Sequence, residues 1–463
     1  MGKLPVSTLF DLQINLTGAA AAIESFGRPC IVDTENVQGA GALVPVVSLC
    51  GSLQDVADLG YDEWNKAYVM AKALLSQPNR PKTFLVASVF ALSAAELTAV
   101  EAANSTWYVL MLTSRAAADL TTVATWVETT AARRHVFAAE TQDAAAFTAA
   151  PSILSTLETS NRLRTMAVAR LADPQRLSLV FSDKLVALNS VDLKVSGNAI
   201  GATVFAADSD ATLAAIAVKL AALSEIATAV VTAGPGPGAD TAREIVVVAA
   251  DPLVPVVISD YACTLGASQN TLAITETDSG AGVADASLMG KLLPQGLGQA
   301  TAAGKTLKGL AVDDLSTAQY AAVTGHGGNV YVNIGGVDQI QRGQTSGFVA
   351  PGSHAFFDTI AMRDRLEAEI QQAVIAVLTP QVGKLPFNNS GIRAVAGAAI
   401  AVCQRYVAAG MLKPFSVTDD WTIPDIGDVT PADKTARHLA GITGSVVGTG
   451  AIQSVGMTIN IQV

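Results

Sequence analysis

Apolar and polar residues alternate at both ends of the chain. The apolar members of the alternation are Phe10, Leu12, Ile14 and Leu16 in the N-terminal segment and Met457, Ile459, Ile461 and Val463 in the C-terminal segment. A period of two predicts β-strands with one buried face. Because chain ends fray unless something holds them, we expect both segments to pair with a sheet.

Further along, apolar strands alternate with amphipathic helices. Strands are predicted near Cys30–Asp33, Leu43–Ser48, Thr83–Phe90, Thr106–Leu112, His135–Glu140 and Arg164–Arg170. Helices are predicted from the N-cap Ser52 to Gly60, over Tyr61–Ser76, after a capping box at Ser93 and Glu96, and over Ser114–Ala131. This alternation predicts a layered α/β domain over residues 26–175.

The pattern changes between residues 176 and 280, which are rich in Val, Ala and Asp. An alternating strand over Val191–Val195 ends in a turn, and Asp208 is predicted to cap a helix that runs through Leu223. Two further apolar runs, Ile245–Ala249 and Val254–Ser259, are predicted to be strands. We interpret residues 176–280 as a small ββαββ-like domain inserted into the surrounding one.

Two long amphipathic helices follow a mixed segment, residues 281–355, that returns the chain to the α/β domain. They are predicted over Phe357–Leu378 and over Ser390–Gly410, with Ser390 as the N-cap of the second. Residues 356–450 are therefore predicted to form a C-terminal α/β domain. Residues 1–25 are predicted to be an N-terminal arm, and residues 451–463 a C-terminal strand. The expected fold class is mixed α/β (α+β).

Composition narrows the functional classes. Lys and Arg number 29 and Asp and Glu 40, so the net charge is 29 − 40 = −11, which argues against a nucleic-acid-binding protein. Charged residues make up 15% of the chain, whereas about 25% is usual. The longest apolar run, Ala394–Cys403, is too short to span a membrane. An apolar chain with few charges suits subunits that bury surface against one another.

Candidate chemistry is sparse. The four cysteines, Cys30, Cys50, Cys263 and Cys403, stand far apart among apolar residues and are interpreted as core residues. We find no metal-ligand spacing and no cofactor fingerprint, so no metal and no cofactor are expected. The alternative is a cytosolic α/β enzyme, for which His326 in Gly-His-Gly-Gly is the one catalytic candidate.

The polar side of the first long helix allows two interpretations. It carries charges of both signs, including Arg363, Asp364, Arg365 and Glu369. One interpretation is a solvated face stabilised by i,i+4 pairs such as Arg365–Glu369. The other is an electrostatic contact with a partner protein.

The order of several short segments resembles the contractile tail sheath proteins of bacteriophages, within which a family of sheath-like tail proteins is most similar. The matching segments are Leu4–Ser7, Phe26–Val32, Val44–Pro45, Ser52–Gly60, Leu75–Pro78, Arg80–Pro81, Arg365–Leu378, Asn389–Ile392, Pro431–Arg437 and Gly450–Ile452. The resemblance covers residues 1–175 and 281–463 and leaves out the inserted domain.

The resemblance implies a structural subunit with no enzymatic activity. Sheath subunits form six-fold rings stacked helically around a tail tube, and their terminal arms add strands to the C-terminal sheets of neighbouring copies. Here the arms would contribute the alternating residues named above, and Arg363, Arg365 and Glu369 would be candidates for contact with the tube.

The expected partners are therefore further copies of the chain, the tail tube protein, and baseplate and tail terminator proteins, without nucleic acid or membrane insertion. The expected location is the virion, after assembly in the host cytoplasm, with the inserted domain facing outward. Other self-assembling structural proteins, such as a tail tube or a bacterial secretion-system sheath, remain alternatives.

Overall fold

The structure is a computed structural model that describes residues 26–171, 174–233, 242–252, 254–264, 270–278, 282–296, 298–350, 353–379 and 384–451. The two terminal strands predicted from the alternation, with Phe10, Leu12, Ile14 and Leu16 and with Met457, Ile459, Ile461 and Val463, lie outside the described residues.

A six-stranded sheet forms the centre of the fold. Its strands are β1 (Pro29–Asp33), β2 (Val46–Cys50), β3 (Phe84–Ser88), β4 (Val109–Leu112), β5 (Val136–Thr141) and β6 (Thr165–Ala169). They lie in the order β2-β3-β1-β4-β5-β6, and all are parallel except the edge strand β2. The parallel strands are apolar runs buried on both faces, which requires helices on both sides of the sheet.

Helices cover both faces of this sheet. They are α1 (Leu53–Asp58), α2 (Lys66–Leu75), α3 (Ala94–Ala103), α4 (Ala117–Thr129) and α5 (Ile153–Thr159). On one face α2 packs into a core that also includes residues from beyond 282, and on the other α3, α4 and α5 pack together. The predicted layered α/β arrangement is therefore confirmed.

The six predicted strands are present, but some local predictions were wrong. The second strand starts at Val46, so Leu43 and Val44 lie in a turn before it. Ser93 caps α3, yet the Glu96 carboxylate accepts a hydrogen bond from the Leu43 N–H at 2.7 Å instead of closing a capping box. The second helix begins at Lys66 rather than Tyr61.

The described residues between 176 and 278 include two antiparallel sheets and one helix. The elements are β7 (Arg176–Phe181), β8 (Ser190–Val195), β9 (Asn198–Ala199), β10 (Thr203–Val204), α6 (Ser209–Ala221), β11 (Ile226–Ala233), β12 (Ala242–Ala249), β13 (Ile258–Thr264) and β14 (Leu272–Asp278). The sheet orders are β10-β8-β13, with β9 beside β8, and β11-β12-β7-β14.

This region differs from the predicted ββαββ pattern because it contains additional strands. Asp208 caps α6 as predicted, whereas the strand expected over Val254–Ser259 lies at Ile258–Thr264. The region has a hydrophobic cluster of its own. It contacts the central unit where Lys66 pairs with Asp251 at 2.7 Å. We propose, in keeping with the sequence prediction, that it is an inserted domain.

The chain then returns to the central sheet. The elements are α7 (Ala284–Leu292), α8 (Thr317–Gly325), β15 (Val330–Ile334), β16 (Val337–Gln341), β17 (Gln344–Ala350), β18 (Ser353–Phe356), α9 (Phe357–Leu378), α10 (Asn389–Ala408), α11 (Val417–Asp420), β19 (Trp421–Thr422), α12 (Pro431–Ala436) and β20 (Thr443–Gly444). The predicted bounds of α9 are confirmed. The N-cap of α10 is Asn388, not Ser390, and its side chain accepts the Gly391 N–H.

Helices α2 and α7 approach closely through a glycine. A Cβ atom on Gly290 would lie 2.3 Å from the carbonyl oxygen of Leu74. We predict that Gly290→Ala forces the helices apart and lowers the free energy of unfolding by about 1–3 kcal/mol. Urea denaturation of the isolated subunit measures this loss.

Gly397→Ala is the matched control, because nothing lies within 4 Å of a Cβ at this exposed position of α10. There the substitution should stabilise the protein by up to about 1 kcal/mol through helix propensity. Equal effects of the two substitutions would contradict the close packing of α2 on α7.

Candidate functional site

Helix α9 is buried on two opposite faces. Its first face packs against the central sheet through Phe357, Ile360, Ala361 and Ala368. The second face packs against α10 and the residues that follow it, through Met362, Leu366, Ile370 and Val374. Because α9 is shared by both cores, it seats the α9–α10 hairpin on the sheet.

A buried ion pair lies in the first of these faces. Arg164, next to β6, donates from Nη1 to Asp364 Oδ2 at 2.6 Å and from Nη2 to Oδ1 at 2.8 Å. The Tyr108 hydroxyl donates to Oδ2 at 2.9 Å, and Asp364 is fully buried. The prediction that Asp364 lies on the polar side of the helix was therefore wrong.

The charge of Arg164 determines the ionisation state of this aspartate. Burial alone would raise the pKa of Asp364, but the nearby guanidinium and its hydrogen bonds outweigh burial and hold that pKa below its usual range. Asp364 is therefore ionised at neutral pH. The burial of Asp364 has a signal in the sequence, because Asp364 continues the i, i+3, i+4, i+7 spacing of the apolar residues Phe357, Ile360 and Ala361.

Two more arginines of the central unit pair with aspartates from beyond residue 282. Arg115 contacts both carboxylate oxygens of Asp285 at 2.9 and 3.0 Å, and Arg170 Nε lies 2.9 Å from Asp313 Oδ2. All of these side chains are buried or nearly so. Together with Arg164–Asp364, these pairs attach the returning chain to the sheet at three separate points.

In the α9–α10 hairpin, the positively charged side chains are more exposed than the negatively charged ones. Its cations, Arg363, Arg365, Lys384, Arg393 and Arg405, are half-buried or exposed, whereas its carboxylates, Asp358, Asp364, Glu367 and Glu369, are buried or half-buried. Arg393 and Arg405 have side chains 73% and 66% exposed. We call these five cations the basic face; one of them, Arg393, also lies 4.0 Å from the exposed carboxylate of Asp425. The chain as a whole has a net charge of −11.

The three predicted tube-contact residues differ in their surroundings. Arg365 Nε donates to Glu369 Oε1 at 2.8 Å, so the predicted i,i+4 pair is confirmed. Arg405 of α10 donates to Glu369 Oε2 at 3.1 Å. Glu369 is thus bonded within the chain, while Arg363 and Arg365 remain about 28–29% exposed.

A small strand pair follows the hairpin. β19 and β20 pair antiparallel, Trp421 lies over Gly444, and residue 412 forms a bridge with residue 448. Within the described residues no third strand joins β19 and β20. The outer backbone groups of such a pair can accept a strand from another chain.

The histidine singled out from the sequence lies in a polar cluster. His326, the C-cap residue of α8, contacts the Glu158 carboxylate through Nδ1, and His354 Nε2 lies 3.7 Å from the other oxygen of Glu158. His354 stacks on Phe348 with ring centroids 4.6 Å apart. These contacts link α5, α8 and β18, and neither histidine hydrogen-bonds to a serine, threonine or cysteine in the described part of the chain.

Two further properties bear on function. Over the described residues, no group of three or more His, Cys, Asp or Glu side chains is placed to hold a metal ion. Nor does any described helix combine the length and hydropathy needed to cross a bilayer.

Part of the chain matches a known family of protein domains. Residues 357–437, from the start of α9 through α12, match the E217 tail sheath protein gp31-like C-terminal domain. No protein of curated function shows significant sequence similarity to the chain.

The fold is shared with chains of two solved assemblies. A chain from the anti-feeding prophage (AFP) baseplate is 11% identical, with 100% of both chains covered and a TM-score of 0.50. A chain of the PVC sheath complex, an extracellular contractile injection system in its contracted state, is 12% identical, with 99% of this chain and 98% of that one covered and a TM-score of 0.51. The predicted resemblance to contractile tail sheath proteins is therefore confirmed.

The Arg164–Asp364 pair gives a direct test of how the hairpin is seated. Asp364→Asn would leave the Arg164 guanidinium buried without a counter-charge, and we predict a loss of about 3–5 kcal/mol in the free energy of unfolding. Asp260→Asn is the control, because it removes the carboxylate of the exposed Lys194–Asp260 pair and should cost about 0–1 kcal/mol. Urea denaturation at pH 7 measures both.

The pH dependence of this loss adds a second readout. Since the pKa of Asp364 is lowered on folding, its contribution is full above the unfolded pKa and disappears as the pH falls through the folded value. The difference between the wild type and Asp364→Asn should hold from pH 8 to 5 and shrink below about pH 4. A difference that instead grows with acid would contradict an ionised Asp364.

Proposed function

We propose that this chain is the structural subunit of a contractile tail sheath, assembled as helically stacked six-fold rings around a tail tube. The match of residues 357–437 to a tail sheath domain carries the proposal. The seating of that domain on the central sheet by a buried ion pair supports it, because a lattice subunit must hold its contact surfaces in fixed relation. Contraction would then drive the tube through a bacterial envelope.

Neighbouring copies are linked, in this proposal, by exchanged strands. The N- and C-terminal segments with alternating apolar residues would add to the β19–β20 pair of an adjacent copy. Each backbone hydrogen bond contributes about 0.5–1.5 kcal/mol net, and each buried apolar side chain about 1.5–3 kcal/mol. Links of this strength can persist while the subunits rotate relative to one another.

The basic face is the proposed contact with the tube. Of the three residues predicted from the sequence to contact the tube, Arg363 and Arg365 remain candidates. The other members of the basic face are added as candidates: Lys384, Arg393 and Arg405. The role of Glu369 is indirect, since its carboxylate holds Arg365 and Arg405 in position. The tube partner would present carboxylates to this face.

The remaining assignments follow from a sheath function. The partners would be further copies, the tube, and baseplate and terminator proteins, and the chain would be located in the virion after assembly in the host cytoplasm. A sheath needs no catalytic group, cofactor or metal. A subunit with the same role in an extracellular contractile injection particle is the second candidate, favoured by the fold shared with the PVC sheath chain.

Truncation tests the strand exchange. We expect the full chain, expressed with its tube partner, to form striated tubes under negative-stain electron microscopy. A variant lacking residues 456–463 should give separate rings or single subunits, because the donated strand is lost. His326→Ala is the control and should assemble normally. Normal tubes from the truncated chain would contradict the role of the C-terminal strand.

Charge reversal tests the tube contact. The double substitution Lys384→Glu and Arg393→Glu inverts two exposed charges of the basic face. It removes the exposed Arg393–Asp425 pair but leaves the pairs made by Glu369 intact. We expect weaker binding to the tube as measured by co-sedimentation. Lys72→Glu, at an exposed position of α2, should leave binding unchanged. Equal binding by all three proteins would place the contact elsewhere.

A further inference from the structure

Five buried charged side chains meet at the carboxyl ends of the last three strands of the central sheet. On the sheet side, Arg115 follows β4, Glu140 lies near the end of β5, and Arg170 follows β6. The other two come from the returning chain, with Asp285 in the first turn of α7 and Asp313 before α8. The most exposed of the five is Arg115, with 9% of its side chain accessible. We call these five residues the charge cluster.

Within the described residues, one of the three carboxylates in the charge cluster lacks an arginine partner. The two aspartates form the ion pairs with arginines described above. Glu140 Oε2 instead accepts the first N–H groups of α7, from Ala284 at 2.5 Å and from Asp285 at 3.2 Å. The other oxygen, Oε1, is buried and has no hydrogen-bond partner among the described residues.

The charge cluster therefore contains one more carboxylate than guanidinium group, and the N-terminus of α7 offsets only about half a unit charge. The neighbouring charged groups that the structure describes do not supply the rest. Lys66 of α2 is paired with Asp251 at 2.7 Å, Lys72 of α2 is exposed, and Lys291 lies in the last turn of α7. Tyr331 of β15 is neutral, since burial raises its pKa. With all its carboxylates ionised, the cluster would keep a buried negative charge.

Burial and mutual repulsion favour the binding of a proton to Glu140 and Asp285. Two neighbouring carboxylates that cannot both be ionised at low cost bind one proton between them. Burial raises the pKa of Asp285 to about 7, with Arg115 acting in the opposite direction and the charge of Glu140 in the same direction as burial. Glu140 Oε1 can carry a proton without the loss of a described hydrogen bond, whereas both oxygens of Asp285 contact Arg115.

The charge cluster lies where the chain leaves the central unit and where it returns. Arg170 lies shortly before β7, the first strand of the 176–278 region, and Asp285 lies shortly after β14, the last strand of that region. Asp251, in the same region, also interacts electrostatically with Arg115. The cluster therefore holds both connections of the 176–278 region against the central sheet.

We propose that Glu140 and Asp285 share one proton in the folded protein, and that this proton controls how firmly α7 and the 176–278 region are attached to the central sheet. While the proton is bound, the charge cluster has no net charge. When it leaves, a buried repulsion opposes the attachment. Because the unfolded chain binds such protons only below about pH 4, the stability gained from this proton is lost as the pH rises toward 7 and above. The proposal does not depend on the sheath function.

Glu140→Gln tests the shared proton, because glutamine keeps a carbonyl oxygen for the N–H groups of α7 but carries no charge. We expect the folding equilibrium constant of this variant, divided by that of the wild type, to rise about tenfold per pH unit between pH 5 and 7, as measured by urea denaturation. Asp313, whose pKa burial raises to about 6, is present in both proteins, so its titration largely cancels in the ratio.

Glu63→Gln is the matched control for this substitution, since Glu63 is exposed. For this variant the same ratio should not change with pH. A ratio for Glu140→Gln that is equally independent of pH would overturn the proposal.

Hydrogen exchange of the wild-type protein tests the attachment without relying on a variant. Amide protection of residues 284–292, corrected for the intrinsic effect of pH on exchange, should fall between pH 6 and 8.5. In Glu140→Gln the fall should be smaller. Protection that stays constant in the wild type, or that falls equally in both proteins, would contradict control of the attachment by this proton.

Discussion

The buried bond between Arg164 and Asp364 is the constraint on which the rest of the architecture depends. It joins the last strand of the central sheet to a helix two hundred residues later in the chain. A buried pair of this kind adds little net stability compared with apolar residues of the same volume. What it contributes is specificity, because α9 can meet the sheet in only one register if the carboxylate is to reach Arg164 and Tyr108.

That register determines what the protein presents to others. With one face of α9 against the sheet and the opposite face against α10, the hairpin has no freedom to rotate. Three of its four carboxylates, those of Asp364, Glu367 and Glu369, pair with arginines, and its cations are half-buried or exposed. An acidic chain thereby carries a basic face on a hairpin that packs against Trp421 of the β19–β20 pair. Both features suit a subunit that contacts one kind of partner through charge and its own copies through backbone pairing.

Much of the fold could be predicted because apolar periodicity is a local signal. The six strands of the central sheet and the bounds of α9 follow from runs of Val, Leu and Ile and from helical spacing. Ser52 and Asp208 cap helices where the sequence predicts, because each side chain bonds a backbone N–H three residues ahead. Tertiary contacts decided the exceptions. The N-cap of α10 is Asn388 rather than the predicted Ser390. Trp64 lies before the start of α2, outside the helix predicted for it, and against the turn at Gly197.

The candidate site was harder to predict because its key residue is a charge in an apolar position. If α9 is assumed to have a single buried face, Asp364 is predicted to lie on its polar side. The spacing of Phe357, Ile360 and Ala361 predicts the burial of Asp364 only if a second buried face is allowed. The partner arginines carry no local signal, since the pairing distances in sequence exceed one hundred residues for all three pairs. Only the folded chain brings these charges together.

A cryo-electron microscopy reconstruction of the assembled particle is the most direct test of this protein as a sheath subunit. We expect the basic face of α9 and α10 to line the inner surface against the tube, with strands from neighbouring copies beside β19 and β20. A reconstruction in which the hairpin faces outward and the terminal segments fold back onto their own subunit would contradict it.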